Sequence, residues 1–599
     1  MKKYKHTIMQ RYILVMVALS VLILTGCSKN LDQQPKSTAG NAAVFGSEDG
    51  LKLYSNSFYD GLPGISDVYK TDAMADYSAV NSVPDFLRAG AYNSRVSDGW
   101  TWSTLRNINY FIANCNNPAI SATVRNNYIG LARFFRAWFY YDKVKRFGDV
   151  PWIGKPITID DNATLYAGRD SRTVVMDSVI ADLNFAIDNI TLKTDATGSQ
   201  ITKYVACGFK SRVCLFEGTF RKYQGVAGGA DTLLQLAADA AKRVMDEGGF
   251  SLNQATGTSL SYRQLFTSAA PVTSEIMLAN VASSTLAVYN DANWYFTSAT
   301  YGSRLSFTKT FINTYLDIDG TPFTSKAGYD TLPFVKETQG RDKRLQQTIR
   351  MGSYTRTDNG KVIAAPPVFS YTYTGYMPIK WSVDDTYFDN GTTNVTSVSL
   401  MRYAEILLNY AEAMEELGKL SDADWTKTIG ALRARAGITG GTTAKPAVAD
   451  SYLQTNYFPG ITDAALLEIR RERGIELALE GFRFADLIRW KRGDLLAGSW
   501  HGMYVPALNV PMDLNGDGVY DVCFYQTLPA NQVTGVTYIN VSSTLNGVTN
   551  PLQLSNGTSG EIHWLDNVAK EWADYKYLYP IPYTDLQLNP KLGQNPIWQ

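Results

Sequence analysis

Three glutamates recur at four-residue spacing in the C-terminal third of the chain: Glu472, Glu476 and Glu480. In a helix this spacing places them on one face, and two carboxyl groups about 5 to 9.5 Å apart can hydrolyse a glycosidic bond. Three arginines share the stretch: Arg470, Arg471 and Arg473. Arginines beside the carboxylates favour ion pairs, and no motif singles out a hydrolytic pair. We therefore expect a chain that is not an enzyme.

A second acidic motif is typical of calcium loops of the D-x-N-x-D-G type. The predicted oxygen donors are Asp513, Asn515, Asp517, the carbonyl of Val519, and Asp521. Ca²⁺ takes several oxygens from alternating positions, and Gly518 permits the sharp turn. The twelfth position is Phe524 rather than Glu, which excludes a complete EF-hand. We expect a Ca²⁺ that stabilises the loop, or a turn of Asp, Asn and Gly without metal; no other cofactor is required.

The remaining reactive residues are few. The chain of 599 residues has three histidines, His6, His501 and His563, which argues against His-dependent catalysis and His-rich metal sites. Cys115, Cys207, Cys214 and Cys523 are expected to be buried free thiols. The 56 basic and 56 acidic residues cancel, without a basic block, so nucleic acid is excluded as a partner because phosphate binding needs a concentrated positive charge.

The N-terminus predicts export. Basic residues precede a 13-residue apolar run, Tyr12 to Leu24, which is short for a membrane span and typical of a signal peptide. The run leads into Leu24-Thr25-Gly26-Cys27, the pattern of a bacterial lipobox. We expect residues 1–26 to be removed and Cys27 to carry the lipid that is the only membrane attachment. An ordinary signal peptide with a chance cysteine is the alternative.

Helical periodicity positions these residues. Helices are predicted over residues 124–147, 172–190, 203–220, 231–247, 400–417, 422–436 and 462–480, with Thr462 as an N-cap. Helix–turn–helix pairs that recur every 34 to 40 residues are typical of a tetratricopeptide-like stack.

Residues 250–398 and 495–570 have a different composition, dominated by Thr, Ser, Gly, Asn and Tyr with short β-prone runs. Long irregular segments in a compact protein are functional or disordered. Phe, Trp and Tyr make up 12% of the chain, and their frequency here argues against disorder. We call these two segments the insertions and expect them to take part in recognition.

Several segments together resemble the RagB/SusD family of outer-membrane lipoproteins. They are residues 105–112 (LRNINYFI), 130–151 (GLARFFRAWFYYDKVKRFGDVP), 311–323 (FINTYLDIDGTPF), 340–345 (GRDKRL), 400–413 (LMRYAEILLNYAEA), 432–437 (LRARAG), 468–490 (EIRRERGIELALEGFRFADLIRW), 577–582 (YLYPIP), 589–590 (NP) and 594–598 (QNPIW). Their order along the chain is that of the family, and they extend from the lipobox to the C-terminus.

The resemblance implies a mainly α SusD-like fold: four tetratricopeptide-like helix pairs as a scaffold, and long, irregular, partly β insertions. Residues 27–599 are expected to form a single domain. The implied function is a cell-surface lipoprotein of the outer membrane that captures an oligosaccharide and delivers it to a TonB-dependent transporter of the SusC type. A peptide-binding relative of the same uptake system and a purely structural helical adaptor are the alternatives.

The resemblance also indicates where ligand would bind, in the loop before residue 103 and in the insertions. Sugars bind to flat aromatic faces, with polar side chains for the hydroxyl groups. The predicted ligand-binding residues are Trp100, Trp102, Asp72, Asp76, Arg88, Arg95, Trp294, Tyr295, Tyr301 and Trp381. Asp72 and Asp76 have a structural role as their alternative.

Overall fold

The computed structural model describes Met9 and residues 41–598. Apart from Met9, the predicted signal peptide lies outside the described residues, as does the lipidation site Cys27. Within the described part of the chain, no helix combines the length and the apolar character needed to cross a bilayer.

Eleven helical segments form the scaffold. They are α1 (Glu48–Ser55), α2 (Ser103–Asn114), α3 (Ala122–Phe147), α4 (Arg172–Asn189), α5 (Lys203–Gln224), α6 (Ala230–Glu247), α7 (Tyr403–Glu416), α8 (Asp422–Trp425), α9 (Ala431–Arg435), α10 (Ala464–Glu476) and α11 (Arg483–Arg489). A π-helical turn, Thr426–Gly430, joins α8 to α9. The shorter helices are Asn41–Phe45, Val68–Thr71, Asn162–Leu165, Ser261–Thr267, Ala292–Thr297, Lys309–Ile312, Phe334–Thr338, Leu345–Thr348, Ser451–Asn456 and Tyr583–Leu588.

Local signals explain where the long helices begin and end. The hydroxyls of Ser121, Ser171 and Thr202 accept backbone N–H groups in the first turns of α3, α4 and α5, as N-caps do. Helix α5 ends at Gly225, whose φ of 73° suits a residue without a Cβ.

The helices follow one another as four successive pairs: α3 packs on α4, α5 packs on α6, α7 packs on the π-helical turn between α8 and α9, and α10 is followed by α11. An ion pair of 2.8 Å between Arg473 and Asp486 joins the last pair. Helix α7 also packs on α6 and α10, which links the first half of the chain to the second. The predicted mainly α fold with four helix pairs is confirmed.

Two predicted helices start later than expected. Residues 398–402 form a fully buried strand that pairs with residues 276–280, so α7 begins at Tyr403 rather than at residue 400. Helix α10 is capped by Asp463, which accepts the N–H of Leu466, and Thr462 is not its cap. The chain leaves helical geometry after Glu476, and Leu479 has a φ of 61°.

The strands are short: β1 (Ser78–Ala79), β2 (Ile276–Asn280), β3 (Ser306–Phe307), β4 (Thr355–Asp358), β5 (Lys361–Ala364), β6 (Val398–Arg402), β7 (Trp500–Val505), β8 (Val522–Tyr525), β9 (Thr537–Asn540), β10 (Thr544–Leu545), β11 (Val548–Thr549), β12 (Leu552–Leu554) and β13 (Gly560–Trp564). They pair antiparallel as β1–β3, β2–β6, β4–β5, β10–β11 and β12–β13–β7, and parallel as β8–β9. Most of them lie in the insertions, which are irregular and partly β as predicted.

A buried ion network fastens the first insertion to the scaffold. Glu476 of α10 accepts hydrogen bonds from Arg344 (2.8 Å), from Arg402 (2.6 Å) and from Arg435. The three arginines hold the pKa of the Glu476 carboxyl well below its usual value against the opposing effect of burial. Glu472 pairs with Arg344, and Glu480 pairs with Arg402. The three glutamates that could have formed a hydrolytic pair are therefore structural ion-pair partners, as expected.

Candidate functional site

Trp100 and Trp102 lie together in the loop that leads into α2. Their rings meet edge to face with centroids 5.4 Å apart. Trp100 is anchored on Phe147 at the end of α3, with centroids 5.0 Å apart, and is 8% exposed. Trp102 lies against Phe139 at 5.5 Å and is only half-buried. The scaffold helix α3 therefore holds both indoles in place and leaves part of Trp102 open.

The two indoles line a cleft of about 380 Å³, which we call the aromatic cleft. Its other walls come from the segment that follows α3 and from the C-terminal segment. They are Pro151, Ile153, Ile157, Thr164, Leu165, Tyr166, Ala167, Asp585, Leu588, Asn589 and Leu592. Tyr166 is 48% exposed and adds a third aromatic side chain to the wall. This volume and this mixture of apolar walls with a few polar groups are typical of small-ligand sites.

Asp585 is the charged residue of the aromatic cleft. It lies in the Tyr583–Leu588 helix, and burial raises the pKa of its carboxyl above the usual value. Asn589 is already engaged, since it donates to the carbonyl of Ala167 and accepts from the N–H of Lys591. Asp585 is thus the carboxylate positioned to accept hydrogen bonds from hydroxyl groups of a ligand.

A second aromatic group combines three of the predicted residues. Trp294 stacks on Tyr301 with centroids 3.6 Å apart and an interplanar angle of 11°. The Tyr301 hydroxyl donates to Asp291, which also accepts from Lys70 at 2.6 Å. Tyr295 is 5% exposed, and its hydroxyl bonds to Ser303. The structure places this group apart from the lining of the aromatic cleft and leaves Trp294 and Tyr301 half-exposed.

Trp381 does not fit the predicted role in ligand binding. Its side chain is fully buried, its Nε1–H donates to the carbonyl of Leu479 at 2.8 Å, and its ring packs edge-on against Phe266. It is a core residue with no face open to a ligand.

Asp72 and Asp76 are both engaged in hydrogen bonds within the protein, which favours their structural alternative. Arg483 holds Asp76 through two bonds of 2.7 and 2.8 Å. Asp72 accepts from the Tyr77 hydroxyl and from the N–H of Gly481, and burial raises its pKa to about 7. Asp76 thus ties this segment to the first residue of α11, and Asp72 ties it to the turn before α11.

Arg88 and Arg95 lie at the surface. Arg88 pairs with the exposed Asp85. Arg95 lies over the ring of Tyr583, with its guanidinium carbon 4.2 Å from the ring centroid, and Tyr583 begins the helix that lines the aromatic cleft. Arg95 is therefore the one of the two that contacts a wall of the cleft.

The predicted calcium loop is a self-bonded turn. Asp513 accepts the N–H groups of Gly516 (2.6 Å) and Gly518 (2.8 Å), and Asp521 accepts that of Leu514 (2.7 Å). Asp517 bonds to the amide of Asn515. Burial, together with the charges of Asp513 and Asp517, raises the pKa of Asp521. The donor types fit Ca²⁺, so its binding stays a prediction.

Sequence reasoning missed the walls of the cleft contributed by Tyr166 and Asp585. Tyr166 lies in a connection without periodicity, and Asp585 adjoins a segment (residues 577–582) that we interpreted as scaffold. It also missed Lys70 and Asp291, which hold Tyr301. The spacing of 221 residues between those two gives no local signal.

Comparison with known proteins agrees with the fold. Residues 279–598 match the SusD family, and residues 64–205 match a family described as starch-binding and associating with the outer membrane. The chain is 24% identical to the SusD-like protein P2 of Formosa agariphila over 83% of its own length and 92% of the relative.

Two solved structures share the fold. A SusD-like protein from Bacteroides fragilis aligns with a TM-score of 0.67 and 21% identity over 94% of this chain and 99% of that one. A SusD-like carbohydrate-binding protein from the same species aligns with a TM-score of 0.65 and 18% identity over 92% and 99%. Since the SusD match alone covers more than half of the sequence, the chain belongs to the SusD family.

Proposed function

We propose that this protein binds an extracellular carbohydrate in the aromatic cleft without cleaving it. The cleft carries the proposal: a half-exposed Trp102 and an exposed Tyr166 offer ring faces, and Asp585 offers a carboxylate. Apolar C–H faces of a sugar pack on such rings, and its hydroxyl groups bond to the acid. The description of the second matching family as starch-binding supports carbohydrate as the ligand class.

Binding rather than hydrolysis is supported by the fate of the acidic residues. Hydrolysis requires two carboxyl groups that flank the scissile bond. Glu472, Glu476 and Glu480 are buried and committed to arginines, and the described lining of the cleft holds one carboxylate, Asp585.

The proposal includes a location and a partner. We infer that a lipid on Cys27 anchors the protein at the outer membrane, exposed at the cell surface, and that it delivers ligand to a TonB-dependent transporter of the SusC type. The lipobox pattern and the outer-membrane association named in the second family description support this. The partnership is tested by purifying the tagged protein from membranes and asking whether a transporter co-purifies with it. The complex should survive gentle salt or detergent exchange when ligand is bound and dissociate when ligand is absent.

The binding test compares a panel of polysaccharides, starch among them, with a peptide mixture. Tryptophan fluorescence of the full chain in detergent reports binding, and product analysis of the same samples reports cleavage. Covering one face of an indole contributes about 1–2 kcal/mol, so Trp102→Ala should weaken binding about 5- to 30-fold. Tyr387→Ala is the matched control, because Tyr387 is 75% exposed and lies outside the cleft.

The outcomes separate the alternatives. Saturable binding to a glycan that weakens in Trp102→Ala and is unchanged in Tyr387→Ala supports the proposal. Binding to peptides alone would transfer the site to the peptide-binding alternative, and release of products would make the protein an enzyme. Loss of binding in Trp294→Ala but not in Trp102→Ala would move the site to the second aromatic group.

A further inference from the structure

Two of the three histidines of the chain form a cross-strand pair outside the aromatic cleft. His501 of β7 and His563 of β13 are direct antiparallel partners. Their imidazole rings are parallel within 5° and their centroids are 3.8 Å apart. The sequence argued against a histidine metal site because histidines are rare, but the fold brings residues 62 positions apart onto one face of a sheet.

A carboxylate completes a set of three metal donors. Glu561 stands two residues before His563 on β13, and alternate residues of a strand share a face. One nitrogen of each imidazole and one oxygen of Glu561 lie within 4.8 Å of one another. The Nδ1 atom of His501 is 3.4 Å from Oε2 of Glu561. Two imidazoles and one carboxylate are a donor set that Zn²⁺ takes in proteins, with a fourth position left for water.

The surrounding residues match the second layer of such a site. Oδ2 of Asp566 lies 2.9 Å from Nδ1 of His563 and 3.4 Å from Nε2 of His501. This carboxylate therefore orients the ring nitrogens that face away from Glu561, as partners of metal-bound histidines do. Lys309 lies 3.4 Å from Oε1 of Glu561, which neutralises that oxygen and leaves Oε2 for a metal.

We propose that His501, His563 and Glu561 bind one Zn²⁺ that clamps β7 to β13, with Asp566 as a positioning residue. Donors 2.0–2.1 Å from a tetrahedral ion are about 3.4 Å from each other, so the three donors move closer on binding. The metal also lies in the plane of each ring, so the parallel imidazoles tilt toward each other about their soft χ2 torsions. Side-chain exposures of 27–28% leave the donors open to solvent on one side, which gives the ion access and the rings space.

The test titrates ZnCl₂ into the full chain at pH 8, with excess Ca²⁺ to occupy the Asp513 loop. We expect one Zn²⁺ per chain and, with Co²⁺ as substitute, a visible absorption spectrum of tetrahedral coordination. His563→Ala should lower the affinity at least about 100-fold, and Asp566→Asn about 10- to 100-fold. Glu247→Gln is the matched control, because Glu247 is an exposed carboxylate of α6 outside this site, and it should leave the affinity unchanged.

His563→Gln guards against misfolding, because it keeps a planar polar side chain in the stack. Its urea midpoint without metal should match that of the wild type, and its Zn²⁺ affinity should be as low as that of His563→Ala. Absence of stoichiometric binding by the wild type, or equal affinity in the His563 variants, would overturn the proposal. An equal loss of affinity in Glu247→Gln would also overturn it.

Discussion

Glu476→Gln is the sharpest test of how the insertion is held on the scaffold. The substitution keeps the shape of the side chain and removes one buried negative charge. In the wild type that charge faces Arg344, Arg402 and Arg435, and all four side chains are at most 1% exposed. The variant leaves this cluster with a surplus of positive charge in a place that water does not reach.

The magnitude follows from the number and the burial of these bonds. A hydrogen bond to a charged group contributes about 1.5–3 kcal/mol, and Glu476 accepts three from side chains. The full sum overestimates the effect, since the Gln amide oxygen still accepts and the arginines keep Glu275, Glu472 and Glu480 as partners. Breaking a buried pair from one side costs about 3–5 kcal/mol, and we expect a loss of this size.

Urea unfolding, monitored by tryptophan fluorescence, measures the difference as a shift of the midpoint at equal slope. Glu247→Gln is the control: Glu247 pairs with Arg243 at 3.3 Å on the surface of α6, where both side chains are more than one third exposed. Exposed pairs contribute about 0–1 kcal/mol. If Glu476→Gln lost no more stability than Glu247→Gln, the ion network would not be the interaction that holds the insertion on the scaffold.

The pH dependence of the stability difference between the wild type and Glu476→Gln is a second check. The pKa of Glu476 is lowered in the folded state, so its contribution is fully present above the unfolded pKa of about 4.3. It is lost progressively as the pH falls from there toward the folded pKa. The wild type should therefore approach the variant in stability only in acid, and a constant difference down to pH 2 would contradict the assigned charge.

Three further predictions concern other parts of the molecule. Because the pKa of Asp72 is raised from 3.8 to about 7, the folded state holds its proton more tightly than the unfolded chain, and stability falls as the pH rises across this window. The free energy of unfolding of Asp72→Asn, relative to that of the wild type, should rise by at most about 4 kcal/mol between pH 4 and 7 and stay constant above pH 7. Urea unfolding measures this difference. Ca²⁺ should raise the melting temperature relative to EDTA, and Asp513→Asn should reduce the difference; equal melting temperatures would count against the calcium loop. Cys27→Ser should move the protein from the membrane to the soluble fraction on immunoblots, and retention in the membrane would refute the lipid anchor.

The sequence predicts the scaffold because its information is local. Caps such as Ser121 and Thr202 and an apolar face at helical spacing are readable within one turn, and the helices appear where expected. The predictions of secondary structure fail where a residue distant in sequence determines the local conformation. Residues 400–402 are predicted as the first residues of a helix, yet they belong to strand β6, which pairs with β2 more than 100 residues earlier, and Arg402 bonds within the ion network.

The candidate site is predictable only in part for the same reason. Trp100 and Trp102 are adjacent to a helix start and could be nominated. Trp381 is also a tryptophan, and the residue type alone cannot distinguish it from Trp100 and Trp102, because burial depends on what packs over the ring. Tyr166 and Asp585 become neighbours only when the C-terminal segment folds back across α3.

That return of the C-terminus explains why the cleft is formed before ligand arrives. Arg169 follows the wall formed by residues 151–167 and donates to the carbonyl of Leu592 and to Asn595, both at 2.7 Å. Asn595 in turn donates to the carbonyl of Phe147, on which Trp100 rests. The three walls are thus joined to one another and to α3 by hydrogen bonds that a ligand does not have to create. Since ordering loops on binding lowers affinity, we expect a ligand that binds in this cleft to lose little binding energy to loop ordering, and we expect its selectivity to depend on the shape set by Trp102, Tyr166 and Asp585.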